Sequence, residues 1–240
     1  MSALLTFLLS IIALFAAVIP HEYSHGWVAA KLGDPTARNA GRLTLNPLPH
    51  VDLVGTILLP AGLLLMRVLL QAPIFIFGWA KPVPINPRYF KDPEKGMLWV
   101  GLAGPLTNFL LFGASVALGR LIIFLAPSLL TGVNESSLLA RFTLELLRAV
   151  LFFIGIYAII NTILGFFNLI PIPPLDGSRI LNYFLPARAQ QVFAQLEQFG
   201  FLIILALLWF GGLRGLFSLL QHLWQFALGQ TWFSLVMVLS

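Results

Sequence analysis

Apolar stretches long enough to cross a lipid bilayer dominate this sequence. Of its 240 residues, 59% are hydrophobic and only 10% are charged, whereas a soluble domain carries about 25% charged residues. A bilayer-spanning helix needs about 20 consecutive, mainly apolar residues, and the chain offers such runs several times. The composition therefore predicts an α-helical polytopic membrane protein. With no cysteine, it also excludes disulfides and thiolate metal ligands.

Five apolar regions are separated by short polar connectors. Prolines interrupt the second region and a Gly-Gly pair interrupts the last, so we expect about five or six transmembrane or re-entrant segments. The regions span residues 3–31, 51–79, 97–126, 141–169 and 199–228.

The connector after the first apolar region is rich in turn-forming residues. Residues 38–46 read RNAGRLTLN, in which polar and apolar side chains alternate over 42–46, after a central Ala-Gly. Such alternation is typical of a β-hairpin, and we predict a small one here, with Leu43 and Leu45 on one face. Its edge could receive an extended peptide as an added strand, or the hairpin could be a plain surface feature.

Three ionisable side chains lie near the end of the first apolar region. His21 and His25 are four residues apart, which places both imidazoles on one face of a helix. Glu22 lies beside them, and HEYSH matches the H-E-x-x-H pattern of zinc peptidases. In that chemistry two neutral imidazoles bind the metal, and the carboxylate moves a proton from the attacking water to the leaving amine. A chance occurrence of the pattern is the alternative, but burying these groups in a membrane is costly without a use.

A catalytic zinc needs a third protein ligand, and Asp176 is the best candidate. It follows the proline-rich NLIPIPP and precedes Gly177, so the chain is not helical just before it. Irregular backbone at membrane depth is tolerated where it lines a cavity. The alternative is that Asp176 caps a helix starting near residue 178. His50 and His222 are the remaining histidines and are weaker candidates.

A shared site would also constrain the membrane topology. The paired histidines end the first apolar region and Asp176 follows the fourth, so both ends must face one side. The 51–79 stretch must then enter and leave on that same side. Pro73 and the strand-like IFIFGW favour a helix in and an extended segment back.

Lysine and arginine indicate which side of the membrane this is. The formal net charge is +5, and the basic residues lie in short connectors, which points to membrane orientation and not to nucleic acid. Most of these residues lie in the connectors on the site side. The positive-inside rule therefore predicts a multi-pass protein of the cell membrane whose site faces the cytoplasm.

Three motifs then occur in a distinctive order. They are HEYSH (21–25), AGPLTN (103–108) and NLIPIPPLDG (168–177), together with FGWAKPVPINP (77–87). The set resembles the site-2 protease family of intramembrane zinc metalloproteases, in its compact prokaryotic form, over about residues 15–185. The chain differs from many relatives in leaving no room for a PDZ domain, so recognition would rest with the membrane-embedded part or with a partner.

The resemblance implies a role for each matched residue. It makes His21, His25 and Asp176 the ligands of one Zn²⁺ per chain and Glu22 the general base. Asn168 is similar to a residue that holds the substrate backbone or the oxyanion. Asn108, at the end of AGPLTN, is placed near the site, with helix packing as the alternative role.

We therefore expect a zinc metalloendopeptidase that hydrolyses peptide bonds within or near transmembrane segments of membrane proteins. The expected organisation is one membrane-embedded domain over 1–240, with a catalytic core at about 3–185 and C-terminal helices at about 186–240. The expected partners are a transmembrane protein substrate and the lipid bilayer, with no nucleic acid. Two alternatives remain: a metal-binding membrane transporter, in which Glu22 would be surplus, and a catalytically inactive membrane scaffold.

Overall fold

Helices make up most of the part of the chain that the computed structural model describes, residues 1–71, 78–130 and 137–239. Short 3-10 turns and one π-helical turn, Leu53–Leu58, join the helices. The helices are α1 Ala3–Lys31, α2 Thr36–Asn39, α3 Leu59–Leu70, α4 Pro93–Leu130, α5 Leu138–Asn168, α6 Asp176–Phe184, α7 Ala187–Leu196, α8 Gly200–Trp209, α9 Arg214–Leu228 and α10 Gln230–Leu239.

Four helical stretches are long and apolar enough to cross a membrane. They are Leu4–Lys31, Pro93–Ala126, Leu138–Asn168 and Ala187–Trp209. Large apolar side chains on their outer faces are open to the surroundings, for example Phe124 and Leu110, which are 79% and 75% exposed. Such exposure is what a lipid-facing surface requires. The structure thus confirms the predicted class, with four candidate spans in the described residues beside the five or six segments expected.

The apolar stretch 51–79 returns to where it begins. Its first half is the π-helical turn and α3, and the segment of IFIFGW up to residue 77 lies outside the described residues. Just after this segment, Trp79 N–H donates to the Gly55 carbonyl at 3.1 Å, and the Thr56 hydroxyl donates to the Trp79 carbonyl at 2.8 Å. The two ends of the stretch therefore meet, as the topology argument from the sequence requires.

The predicted β-hairpin at 38–46 is wrong, since the structure has no strand there or elsewhere in its described residues. Thr36–Asn39 forms α2, and Gly41, with φ of +65°, follows its end. Arg42 N–H then donates to the Ala37 carbonyl at 2.9 Å, which is the way a left-handed residue closes a helix. The glycine thus marks a helix end and not a hairpin turn. Arg42 turns inward, where its guanidinium donates to the carbonyls of Lys81 and Pro82.

The helices α1, α4 and α5 pack on one another and form the centre of the molecule, and α6 packs on α4. The C-terminal helices close the other side of α5: Phe152 and Ala158 of α5 contact a cluster that includes Trp224 of α9 and Trp232 of α10. Trp232 also donates its indole N–H to the Leu151 carbonyl at 2.8 Å. This packing leaves the inner faces of α1, α4 and α5 to build a polar site.

Asp34 ties the connector after α1 to the irregular segment 81–86. It is fully buried. Its Oδ1 accepts from the Thr36 N–H at 2.9 Å and from the Thr36 hydroxyl, and its Oδ2 accepts from the Asn86 N–H at 2.7 Å. The segment 81–86 is thereby held against the end of α1.

We expect Asp34→Ala to lower the free energy of unfolding by about 2–4 kcal/mol, because it leaves several buried donors without an acceptor. Thermal unfolding of the detergent-solubilised protein measures this loss. Asp92→Ala is the matched control, since the Asp92 carboxylate is exposed and accepts only a cap bond from Lys95 N–H at 3.0 Å. That change is expected to cost about 1 kcal/mol. Equal losses in the two variants would contradict the role given to Asp34.

Candidate metal centre

The last third of α1 presents the H-E-x-x-H residues toward the interior. Pro20 lies inside the helix just before His21. Because proline has no N–H, the carbonyl of Ala16, four residues back, loses its helical partner. The Tyr157 hydroxyl of α5 donates to that carbonyl at 3.2 Å. The Ala16 carbonyl thus receives its hydrogen bond from α5. This contact holds α1 against α5 about one turn before the histidines.

Asp176 is the first residue of α6, and its side chain is buried. Leu175 occupies the N-cap position, and no side chain caps the helix. The alternative role of Asp176 as a helix cap is therefore not supported. A carboxylate in the first turn still lies at the positive end of the helix dipole, which favours its charged form there.

The structure brings His21, His25 and Asp176 together. The Nε2 atoms of the two imidazoles are 3.1 Å apart, and each lies 3.2 Å from Oδ2 of Asp176. All three side chains are buried. Two residues from α1 and one from the start of α6 thus converge on a single point. Among the described residues, they form the group of His, Asp and Glu side chains whose ligand atoms could all reach one metal ion.

The outer nitrogen of each imidazole is already engaged. His21 Nδ1 lies 2.5 Å from the side-chain oxygen of Asn108, and His25 Nδ1 lies 2.7 Å from the Val100 carbonyl. Both oxygens can only accept, so both Nδ1 atoms carry the proton. In neutral rings the Nε2 atoms are then bare lone pairs, facing each other and an Asp176 oxygen that accepts no hydrogen bond. Three converging acceptors without a proton among them call for a cation.

The geometry fits zinc. A tetrahedral zinc ion bonds imidazole nitrogen and carboxylate oxygen at about 2.0–2.1 Å, so its ligand atoms are about 3.3 Å apart. The three observed separations, 3.1, 3.2 and 3.2 Å, are close to that value. Nitrogen and oxygen ligands of this mixture suit zinc, and three protein ligands leave the fourth position open, as a catalytic site needs.

Glu22 is held by the segment 81–86. Its Oε2 accepts the Val83 N–H at 3.0 Å, and the buried Val83 side chain packs against α1 at Gly26. This hydrogen bond engages one carboxylate oxygen and leaves Oε1 available to accept a proton. The sequence gives the position of Glu22 on α1, but not this contact with a segment some 60 residues away.

The two asparagines singled out from the sequence have different positions. Asn108 of α4 is fully buried and contacts His21 directly, so it lies at the site. Asn168 ends α5, and its Nδ2 donates to the Leu164 carbonyl at 3.0 Å. An amide nitrogen has two hydrogens, so this bond leaves the second one for another acceptor.

Two further residues shape the site. A Cβ atom on Gly104 of α4 would lie 2.4–2.6 Å from ring atoms of His21 and His25, so a side chain there would displace the imidazoles. Arg179 donates from Nη1 to Oδ1 of Asp176 at 3.3 Å, which leaves Oδ2 for the metal. The spacing of Arg179 from Asp176, i and i+3 on a helix, was the sequence signal for this contact.

A polytopic membrane protein with a buried two-histidine, one-aspartate centre is a narrow class. The model of Peptidase family M50 matches residues 9–211, which is most of the chain. The chain belongs to this family, and the match confirms the resemblance to the site-2 proteases.

Individual relatives agree with this assignment. The chain is 37% identical over 198 residues to "Putative zinc metalloprotease YwhC" of Bacillus subtilis, covering 82% of this chain and 78% of that protein. It is 30% identical over 202 residues to "Putative zinc metalloprotease Rip2" of Mycolicibacterium smegmatis, covering 84% and 67%. To "Zinc metalloprotease MJ0392" of Methanocaldococcus jannaschii it is 29% identical over 174 residues, covering 72% of this chain and 33% of that protein. No solved structure matches the chain.

Proposed function

We propose that this chain is a zinc-dependent endopeptidase that cleaves other membrane proteins within or near their transmembrane segments. The observation that carries the proposal is the convergence of His21, His25 and Asp176 within a membrane-type helical bundle, with Glu22 adjacent to His21. Family membership and the names of the relatives support zinc and peptide hydrolysis.

The three ligands would hold the zinc ion, and Glu22 would handle the proton. Bound zinc supplies a Lewis acid that lowers the pKa of a water and polarises a carbonyl. We assign to Glu22 Oε1 the removal of a proton from the attacking water and the delivery of that proton to the nitrogen of the cleaved peptide bond, which leaves as an amine. The Val83 N–H on Oε2 keeps the carboxylate in place for both transfers.

Asn168 is the proposed contact to the substrate carbonyl. Its second amide hydrogen would donate to the oxygen that gains negative charge during attack. Such a donor acts best when it is held in advance, and the bond from Asn168 Nδ2 to Leu164 supplies that support.

The proposed substrate is a membrane protein that reaches the site from the cytoplasmic side. Basic residues concentrated in the connectors on the site side support that orientation. A transmembrane helix hides its carbonyls in its own hydrogen bonds, so the cleaved segment must unwind before water can attack. A metal transporter is less well supported, because transport gives no use to a carboxylate fixed beside the ligands.

Cleavage of a model substrate by the purified protein in liposomes tests this function. We expect product from a single-pass protein, with the cut mapping by mass spectrometry to its apolar segment or the adjoining residues. A zinc chelator should stop the reaction and added zinc should restore it. Cleavage that continues at full rate after the metal is removed, or zinc-loaded protein inactive on a panel of single-pass substrates, would contradict the proposal.

A further inference from the structure

A chain of buried amides leads away from His21 into α5. The oxygen of Asn108 faces His21 Nδ1 at 2.5 Å, and Asn108 Nδ2 donates to the side-chain oxygen of Asn161 at 2.8 Å. Asn161 Nδ2 then donates to the Tyr157 carbonyl at 2.9 Å. Asn108 and Asn161 are both fully buried. The chain thus links the three helices α1, α4 and α5.

The orientation of each amide follows from the last member of the chain. A backbone carbonyl can only accept, so the Tyr157 carbonyl selects the nitrogen end of Asn161. The oxygen of Asn161 must then face Asn108, which selects the nitrogen end of that amide. The same nitrogen has a longer contact, 3.5 Å, with the Ala17 carbonyl of α1. Asn108 in turn presents its oxygen to His21 Nδ1. No member can rotate by 180° without placing two donors or two acceptors face to face.

The fixed orientation of these amides also determines which nitrogen of His21 carries the proton. An acceptor opposite Nδ1 keeps the proton on Nδ1 and leaves Nε2 bare to bind the metal. His25 obtains the same result from the backbone carbonyl of Val100, which no side-chain substitution removes. His21 depends instead on two side chains. The two imidazoles are therefore held by different means, and one of them can be disturbed from a distance.

We propose that Asn161 is a positioning residue for the metal centre, acting through Asn108 to fix the tautomer and orientation of His21. Asn161 itself contacts neither the ligands nor the metal position. This inference rests on the proposed function for its use of zinc, but it concerns the binding of the metal and not the cleavage step.

The test compares zinc affinity in four forms of the full-length protein. In Asn161→Leu the Asn108 amide nitrogen loses its close acceptor and keeps only the Ala17 carbonyl at 3.5 Å. That distance is too long to hold the amide firmly, so the nitrogen can turn toward His21. We expect the Kd for zinc, measured by competition with a chelating dye, to rise about 10–100-fold, the range found when an outer partner of a ligand is lost. Asn161→Asp keeps an oxygen that faces Asn108. Burial favours the neutral form of the introduced carboxyl, whose O–H can then donate to the Tyr157 carbonyl in place of the amide. Its Kd should stay within a few-fold of the unchanged protein.

Thr162→Val is the matched control. Thr162 is the next residue on α5, is equally buried, and uses its hydroxyl only on the Ala158 carbonyl at 2.8 Å. Its loss should leave zinc affinity unchanged. An equal loss of affinity in Asn161→Leu, Asn161→Asp and Thr162→Val would show a general packing effect and would overturn the proposal, as would normal affinity in Asn161→Leu.

A measurement on the unchanged protein covers the case in which Asn161→Leu does not fold. The chain has four histidines, so ¹⁵N-histidine NMR of the zinc-loaded protein can resolve them. We expect His21 to carry its proton on Nδ1; a proton on Nε2, or metal on Nδ1, overturns the proposal. The failure of this inference can be told apart from the failure of the proposed function. Zinc binding that follows this pattern without any cleavage refutes the protease function. Cleavage with unchanged zinc affinity in Asn161→Leu refutes only the positioning role of Asn161.

Discussion

Glu22→Gln is expected to abolish cleavage while leaving zinc binding and the fold intact. The amide cannot accept the proton of the attacking water, and general acid–base catalysis of this kind contributes about 10²–10⁴-fold to the rate. Glutamine keeps the size of the side chain and an oxygen that can accept the Val83 N–H. The loss should therefore fall on kcat, with little change in KM or in zinc affinity.

The comparison requires three measurements on the same preparation: turnover of the model substrate, zinc content and the melting temperature. Val83→Pro is a useful companion variant, because it removes the N–H that holds Oε2 but leaves the carboxylate. We expect a smaller fall in kcat, about 10-fold, because the carboxylate stays but loses the hydrogen bond and the packing of Val83 on Gly26 that position it. Normal turnover in Glu22→Gln would refute its role as the base.

Gly104→Ala is the second change with a large expected effect, and it acts on the metal. The added methyl would lie 2.5 Å from His25 Nε2 and 2.6 Å from His21 Nε2, the two atoms that we expect to bind zinc. Helix α4 cannot give way easily, since it packs between α1, α5 and α6. The imidazoles must move, and we expect the Kd for zinc to rise more than about 100-fold, which exceeds the roughly 10–100-fold effect of losing an outer partner of a ligand.

Gly113→Ala controls for the substitution itself. Gly113 lies on the same helix, and a Cβ atom there meets nothing within 4 Å, so alanine should be neutral or slightly stabilising. Zinc content by inductively coupled plasma mass spectrometry and the melting temperature separate the two variants. Zinc retained at full occupancy in Gly104→Ala would mean that the imidazoles do not lie against α4 as described.

Features of the sequence that depend on neighbouring residues were predictable. The four-residue spacing of His21 and His25 places them on one helix face wherever that helix packs. Apolar length alone indicated the helical membrane class. Asp176 was predicted as a partner from a different kind of signal, a carboxylate after a proline-broken segment at membrane depth. The structure brings this residue to the histidines.

Contacts made only in the folded protein were not predictable in the same way. The Asn108 bond to His21 and the Val83 bond to Glu22 join residues 87 and 61 positions apart, and no local pattern encodes such distances. Asn161 gave no signal beyond being a polar residue in an apolar helix, which marks a functional candidate but names no partner.

The hairpin prediction failed for a physical reason. A period of two over a few residues is weak when a buried group can override it. Arg42 lies within that pattern, but it is buried and its guanidinium binds two carbonyls of the segment 81–86. A glycine with positive φ serves a helix end as well as a turn between strands, so the Ala-Gly pair did not distinguish the two.

X-ray absorption spectroscopy at the zinc edge of the purified protein would observe the proposed metal centre itself. We predict one zinc ion per chain, with two imidazole nitrogens and carboxylate or water oxygens at about 2.0–2.1 Å. We also predict that this signal is lost in Asp176→Ala. Three results would contradict the proposed centre: a protein that binds no zinc, a zinc spectrum without imidazole scattering, or a zinc signal that survives the loss of Asp176.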